Sequence, residues 1–400
     1  MNGRGGPRQP ARLDVFLVAS ETSSDLLGAG LMHALAEIEQ GPVSFRGVGG
    51  PRMSESGLTS LFPIGDLMTI GIGAVLARLP TILRRLRETV AAIAASPPDV
   101  LILIDAPDFT HRIAARVRRR LPRLPIVKYV SPTVWVWRSG RAPAMRRSID
   151  LVLALLPFEP EVHRQLGGPS CVYVGHPLLS RLDELRPSPD EAKARASDPP
   201  LLLALPGSRP QEIARLTAVF GEVFGMMSAR GIRPDIVLPT LPHLAEDIAR
   251  ATRSWPTLPR IVTSESDKYA AFRRARAALA ASGTVTLELA LAGVPHVAAY
   301  RIPAIEALIL RAAARVHPVI GVRSVILTNL VLGEQAVPEF LQRHCTAADI
   351  APAFAEVIRD SPARRRQIEA FKRLDGVLGR GGDSPSLRAA RAVLDLLGRG

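Results

Sequence analysis

Cysteine is nearly absent from this chain: two in 400 residues, Cys171 and Cys345, far apart in sequence. So sparse a pair builds no disulfide framework, which excludes the small cross-linked secreted folds and fits a reducing compartment. Aromatic residues make up only 4%, so the interior falls to Leu, Val, Ile and Ala. No apolar run approaches the roughly 18 residues that a membrane-spanning helix needs. The start of the chain, 1–12, is rich in Gly, Pro and Arg and lacks the apolar stretch of a signal peptide. We expect it to be flexible. Also missing are a Gly-x-x-x-x-Gly-Lys phosphate loop, an Asp-x-Asp pair of the kind that holds a divalent ion on a nucleotide, and any metal-ligand spacing among the eight His. These absences predict a soluble, cytoplasmic, metal-independent protein that uses no cofactor.

What is present is charge of one sign. The formal net charge is +14. Lysine occurs only at Lys128, Lys193, Lys268 and Lys372, so the excess is carried by Arg. Such a balance calls for an anionic partner: a phosphorylated substrate, an acidic membrane surface or nucleic acid. No aromatic-and-basic stripe, helix-turn-helix pattern or zinc-finger spacing accompanies it, so nucleic acid is set aside.

The length suits two domains. Short apolar runs alternate with helical patterns: Asp14–Ala19, Val100–Ile104, Ile126–Val130, Leu151–Leu155 and Cys171–Val174 read as strands, with helices over Val75–Ala95, His111–Leu121 and Pro160–Leu166 between them. A Pro-rich stretch, 186–200, reads as a linker. A second series follows, with strands at Leu201–Leu205, Asp235–Leu238, Arg260–Val262, Ala277–Ala281 and His296–Ala299. From Ile302 the pattern is mainly helical. The predicted architecture is α/β: two doubly wound, Rossmann-like domains facing a cleft, 13–185 and 201–345, with C-terminal helices over 346–400 packing back on the first domain. Ligands of such sheets bind beyond the carboxyl ends of the strands, so the chemistry belongs in the loops that follow them.

Leu205-Pro206-Gly207-Ser208-Arg209 closes an apolar run and opens a helix. That geometry aims backbone N–H groups and a helix dipole at one point, and Arg209 adds a planar fork for phosphate. Ser282, Gly283 and Thr284 form a second helix entry, with Thr284 as a candidate cap. Glu288, one turn further, has the reach to accept two hydrogen bonds from a ribose diol, or stands as a carboxylate favoured by the helix start. A phosphate end and a sugar-binding carboxylate together describe a nucleotide site.

The first domain offers Glu21 and Ser23 in a polar loop, as ligands of sugar hydroxyls or as part of a helix cap; Asp25 is a candidate cap for the same helix. Asp105 and Asp108 end a buried strand around Pro107. Asp105 is the sharper candidate for a general base, and Asp108 fits turn and cap chemistry. Trp135 and Trp137 make either a platform for a sugar or acyl surface or core packing. Arg138 and Arg141 either counter a phosphate or are solvated. His176, in Gly175-His176-Pro177, touches a diphosphate or builds a turn.

Taken in order, these segments resemble the lipid-A-disaccharide synthase family, inverting glycosyltransferases of the two-domain B fold. The resemblance runs from about Val15 to Gln342. It rests on Glu21–Asp25 with Leu27-Gly28-Ala29-Gly30-Leu31, Gly49-Gly50-Pro51-Arg52-Met53, Ile104–Phe109, Val130–Trp135, Leu205–Arg209, Ser282–Glu288, and Asn329 with Val337–Gln342. It implies transfer from UDP-2,3-diacylglucosamine to the 6-hydroxyl of 2,3-diacylglucosamine 1-phosphate, giving UDP and a β-1,6-linked disaccharide 1-phosphate. It further implies Asp105 as the base, Arg209 as a diphosphate contact, Glu288 on the ribose, and Glu21, Ser23, His176 and Asn329 as polar positions near the acceptor or elsewhere in the site. The family pattern has glycines where this chain has Ser20 and Ser24, a Glu where it has Ala74, and a Pro where it has Thr328.

Both implied substrates carry acyl chains, and each buried CH₂ adds about 0.8 kcal/mol to membrane affinity, so they stay in the bilayer. Met68, Ile70, Ile72, Val75 and Leu76 form a candidate insertion patch, followed by Arg78, Arg84, Arg85 and Arg87 for anionic headgroups at the cytoplasmic face of an inner membrane; an ordinary amphipathic helix fits the same residues. The reading leaves room for a homodimer. Its competitors are a related UDP-sugar transferase or epimerase with another substrate, and a non-catalytic membrane-associated binding protein.

Overall fold

The computed structural model describes residues 12–67, 72–135, 139–301 and 324–399, the side chains of 72–78 excepted. The chain divides into two compact units. The first holds residues up to Pro177 together with Gly381–Gly400; the second runs from Leu178 to Arg380.

The first unit is built on seven parallel strands: β1 (Leu13–Val18), β2 (Val43–Val48), β3 (Thr59–Ser60), β4 (Val100–Ile104), β5 (Ile126–Tyr129), β6 (Leu151–Ala154) and β7 (Ser170–Tyr173), in the order β3-β2-β1-β4-β5-β6-β7. Its central strands are buried on both faces, which is why they read as unbroken apolar runs. Val15 and Leu17 of β1 join one core with Leu31, Leu35 and Val393, while Phe16 and Val18 join the opposite core with Leu86, Val90 and Ile113. That alternation is the two-residue pleat of a strand. The helix Thr22–Ile38 packs against the last helix, Pro385–Leu396, where Ala389 and Ala390 allow close approach.

The second unit has six parallel strands: β8 (Leu201–Leu205), β9 (Asp235–Pro239), β10 (Arg260–Val262), β11 (Ala277–Ala281), β12 (His296–Tyr300) and β13 (Glu339–Leu341), in the order β10-β9-β8-β11-β12-β13. Helices Pro210–Ala229 and Ala347–Ile358 cover one face through Phe220, Phe224 and Phe354.

Sequence and structure part in several places. Strands β2, β3 and β13 were not anticipated; β2 alternates as Val-Ser-Phe-Arg and its first four residues are only half-buried, so it lacks the apolar run of its neighbours. The helix after β4 begins at Pro107, four residues before the expected His111. The division falls at Leu178 and not within 186–200: Leu182 and Leu185 are buried, and Pro189–Ala194 is a helix capped by Ser188, all within the second unit. Of the C-terminal helices, only Pro385–Leu396, beyond Arg380, joins the first unit. Residues 1–11 lie outside the described residues, as do Met68, Ile70, Trp137 and Arg138, and so do the side chains of Ile72, Ala74, Val75, Leu76 and Arg78.

Candidate active site

Each sheet has one point where its strand order reverses; Glu21, Ser23 and Asp105 follow the strands at one, and Gly207–Arg209 and Ser282–Glu288 those at the other, while His176 and Asn329 lie away from both. In the first unit the reversal lies between β1 and β4, which are hydrogen-bonded neighbours with Val18 opposite Leu103. The loops carrying Glu21 and Ser23 and the loop carrying Asp105 therefore leave the same sheet edge side by side. A crevice at such a point is where doubly wound sheets take their ligands.

Asp105, just past the end of β4, takes a left-handed conformation, φ 51°, and Ala106 follows with φ 40°. Two successive non-glycine residues in that region hold backbone strain that the surroundings must enforce. The Asp105 N–H donates to the Tyr129 carbonyl at 2.9 Å. Its carbonyl accepts from Thr110 Oγ1 at 2.8 Å and from the ammonium of Lys128. Asp108, two residues into its helix, is exposed and paired with Arg141, which assigns that carboxylate and that guanidinium to each other.

The first loop resolves differently from expectation. Asp25 does not cap its own helix. Its buried carboxylate accepts the N–H groups of Gly50, Arg52 and Met53 at 2.8–3.1 Å, and so caps the next helix, Pro51–Glu55. The start of Thr22–Ile38 is closed by Ser24, whose hydroxyl takes the N–H groups of Ser20 and Glu21 and donates to the Glu21 carbonyl. The serine that departs from the family's glycine is thus a working cap. Glu21 and Ser23 are exposed.

Trp135 packs edge-on against Phe158, with ring centres 5.2 Å apart. Its loop is tied down where Ser131 Oγ meets His163 Nε2 at 2.9 Å. Burial holds the neighbouring Glu159 carboxyl up at about 8. His176 is buried and its pKa is pushed down to about 4 by desolvation, so at neutral pH it is an uncharged imidazole with no cationic hold on a diphosphate.

In the second unit the reversal lies between β8 and β11, with Leu205 opposite Ala280. Gly207 has φ 114°, and a side chain there would meet Glu212 Oε2 at 2.5 Å. Ser208 and Arg209 are exposed; Arg209 pairs with Glu212 at 2.9 Å and keeps 74% of its side-chain surface open. Gly283, at φ 142° with open space around it, is the N-cap of Thr284–Leu291. Thr284 is therefore not the cap but the first helical residue. Neither Arg209 nor Gly283 closes its helix with a side chain. Two helix starts that no side chain caps leave adjacent strands at one edge, which is an anion-binding arrangement of oriented amides.

Three partners here were not legible in the sequence. Ser282 Oγ donates to the Val325 carbonyl at 3.1 Å. Glu288 is ion-paired to Lys268, which also lies over the rings of Tyr269 and Phe272. Asn329 is fully buried; its amide donates to the Val337 carbonyl and to Glu339 Oε1 and accepts from the Val337 N–H, at 2.9–3.0 Å. These bonds make Asn329 a clamp that fixes β13 to the helix Leu327–Leu332, not a polar group open to an acceptor. On the long helix Ile72–Ala95, Arg85 is engaged by Asp66 and Glu88, so of the anticipated basic residues described there only Arg84 and Arg87 are exposed.

Solved structures with the same two-unit α/β organisation share the fold across almost the whole chain. A UDP-bound MnaA from S. aureus aligns with a TM-score of 0.62 at 13% identity, covering 97% of each chain. CalG4, the calicheamicin glycosyltransferase, aligns at 0.56 and 17% identity, covering 98% of this chain and 99% of its own. The fold is thus that of the B-type glycosyltransferases, a class defined by two Rossmann-like units of this kind. The family model described as lipid-A-disaccharide synthetase matches residues 15–377. Lipid-A-disaccharide synthases from Rhodopseudomonas palustris (strain BisB18) and Nitrobacter hamburgensis are each 55% identical over 383 residues, 96% of this chain and 95% of theirs; that of Bradyrhizobium diazoefficiens is 53% identical over 393 residues, 98% of each. The chain belongs to the lipid-A-disaccharide synthase family, glycosyltransferases of lipid A biosynthesis.

Proposed function

We propose that this chain transfers the diacylglucosaminyl group of UDP-2,3-diacylglucosamine to the 6-hydroxyl of 2,3-diacylglucosamine 1-phosphate, with inversion and without a metal. A sugar hydroxyl is a weak nucleophile at neutral pH. Asp105 takes its proton as the new bond forms. The UDP leaving group gains negative charge in the transition state, and the amides at Gly207–Arg209 and Ser282–Thr284, with the Arg209 guanidinium, stabilise that charge more strongly than in the ground state. Glu288 accepts the ribose hydroxyls, with Lys268 holding its carboxylate in place. Glu21 and Ser23, beside Asp105 on the same sheet edge, orient the acceptor sugar.

The observation that carries the reading is the pair of helix starts without side-chain caps at Arg209 and Gly283, following hydrogen-bonded neighbours β8 and β11. Support for lipid substrates comes from the sequence alone, where the apolar Met68, Ile70, Ile72, Val75 and Leu76 are followed by Arg84 and Arg87, a combination that suits an anionic bilayer surface. Among the described residues no helix is long and apolar enough to cross a membrane.

Mass spectrometry of products from the two acylated glucosamine substrates in detergent tests the proposal. We expect one disaccharide 1-phosphate and one UDP per turnover. Folded protein that releases no UDP, beside a working positive control, overturns it. UDP-N-acetylglucosamine consumed without an acceptor would mark an epimerase instead.

A further inference from the structure

Lys128 is fully buried, an unusual place for an ammonium. It sits on β5 with Leu103 opposite on β4 and Val152 opposite on β6, both apolar. Among the described residues it forms no ion pair; its ammonium donates to the Asp105 carbonyl. Thr110 Oγ1 donates to the same oxygen at 2.8 Å. Both donors thus converge on the carbonyl of the first of two left-handed residues, Asp105 and Ala106.

We propose that Lys128 is a positioning residue for the transfer: with Thr110 it locks the Asp105 carbonyl and so fixes the bend that presents the Asp105 carboxylate. The inference rests on Asp105 being the base.

Burying an ammonium without an ion pair opposes folding unless something is gained from it. Desolvation pushes the Lys128 pKa down to about 7, and the Asp105 charge works against that shift. The charged groups around the pair are few. His111, on the helix Pro107–Arg120, feels Lys128 and lies near Arg141 and Asp108; its own pKa is pushed down to about 4, chiefly by burial. It is therefore an uncharged imidazole at neutral pH.

The test is the steady-state kinetics of UDP release by K128M and T110V in the full chain. Met keeps most of the volume and removes a buried charge, so the thermal midpoint holds or rises. K128M is expected to lower kcat at least ten-fold and to leave KM for the UDP-sugar within two-fold. T110V is expected to lower kcat several-fold, again with KM within two-fold. A folded K128M with wild-type kcat, or one whose KM rises as much as its kcat falls, overturns the inference. If K128M does not fold, T110V decides, and an unchanged kcat there overturns it. Loss of turnover in D105A with normal K128M sinks the inference alone; full activity in D105A sinks the base assignment beneath it.

Discussion

At the scale of residues, the proposed function divides between groups presented at the carboxyl end of a sheet and groups that hold them there. Half-buried Asp105 and exposed Arg209 belong to the first kind. Asp105→Ala is expected to cut turnover by about 10²–10⁴-fold while UDP affinity, measured by calorimetry, stays near wild type; equal losses in both would place Asp105 on the nucleotide instead. Arg209→Ala is expected to raise KM for the UDP-sugar and lower kcat together, about 10²-fold in kcat/KM. An unchanged kcat would assign Arg209 to ground-state binding only. Asp25 is of the second kind. Replacing it with Ala leaves three amide donors of Gly50, Arg52 and Met53 without their acceptor. The cost is about 1–3 kcal/mol, read from denaturant unfolding, with no direct loss of chemistry.

Such residues also mark the limit of what a sequence says. Asp105 was legible because a carboxylate at the end of a five-residue apolar run has few structural uses. Its companion Lys128 was not, since nothing in the order of residues announces that β4 and β5 lie side by side. The same holds for Lys268 and Glu288, twenty positions apart, and for Asp25, which serves a helix that begins at Pro51. Asn329 was placed in the site on likeness and proves to be a clamp, because an amide that satisfies a strand end and one that binds a sugar look alike in sequence.

At the scale of elements, the sequence displayed every strand buried on both faces, β1, β4, β8 and β11 among them, and also the edge strands β7 and β10. Those it hid are edge or near-edge strands, β2, β3 and β13, where one face is less covered and the apolar run is broken. The reversal points lie between displayed strands in both sheets, which is why the candidate loops were found without the full topology. The loop starts can be probed directly. A side chain at Gly283 meets nothing, but φ 142° is hostile to it, so Gly283→Ala is expected to cost about 1 kcal/mol or more and to displace the amide it carries. UDP binding should weaken with it; unaltered binding in a destabilised variant would remove the second helix start from the diphosphate site.

At the scale of the molecule, buried imidazoles set the response to acid. Burial pushes His163, His176 and His296 each down to about 4. Unfolded, they take up protons near pH 6.5; folded, they resist until about 4. Their share of stability is therefore complete above pH 6.5 and is lost as pH falls towards 4. Glu159 has the opposite sense, since its folded carboxyl is raised to about 8: its contribution is greatest below the ordinary carboxylate range and fades as pH climbs to 8. Calorimetric midpoints should fall between pH 7 and 5, and Glu159→Gln should raise the midpoint at pH 8.5 more than at pH 5. A midpoint that does not move with pH in either region would show these groups to be solvated.

The helix Pro385–Leu396 completes a core whose other parts end at Pro177, with the whole second unit made in between. On the ribosome the first unit must therefore wait, with the side of Thr22–Ile38 that Ala389, Ala390 and Val393 later cover still open, while more than two hundred further residues emerge. The later unit can mature before the earlier one, and a synthesis stall before residue 381 leaves a sticky, half-clad intermediate for chaperones to shield.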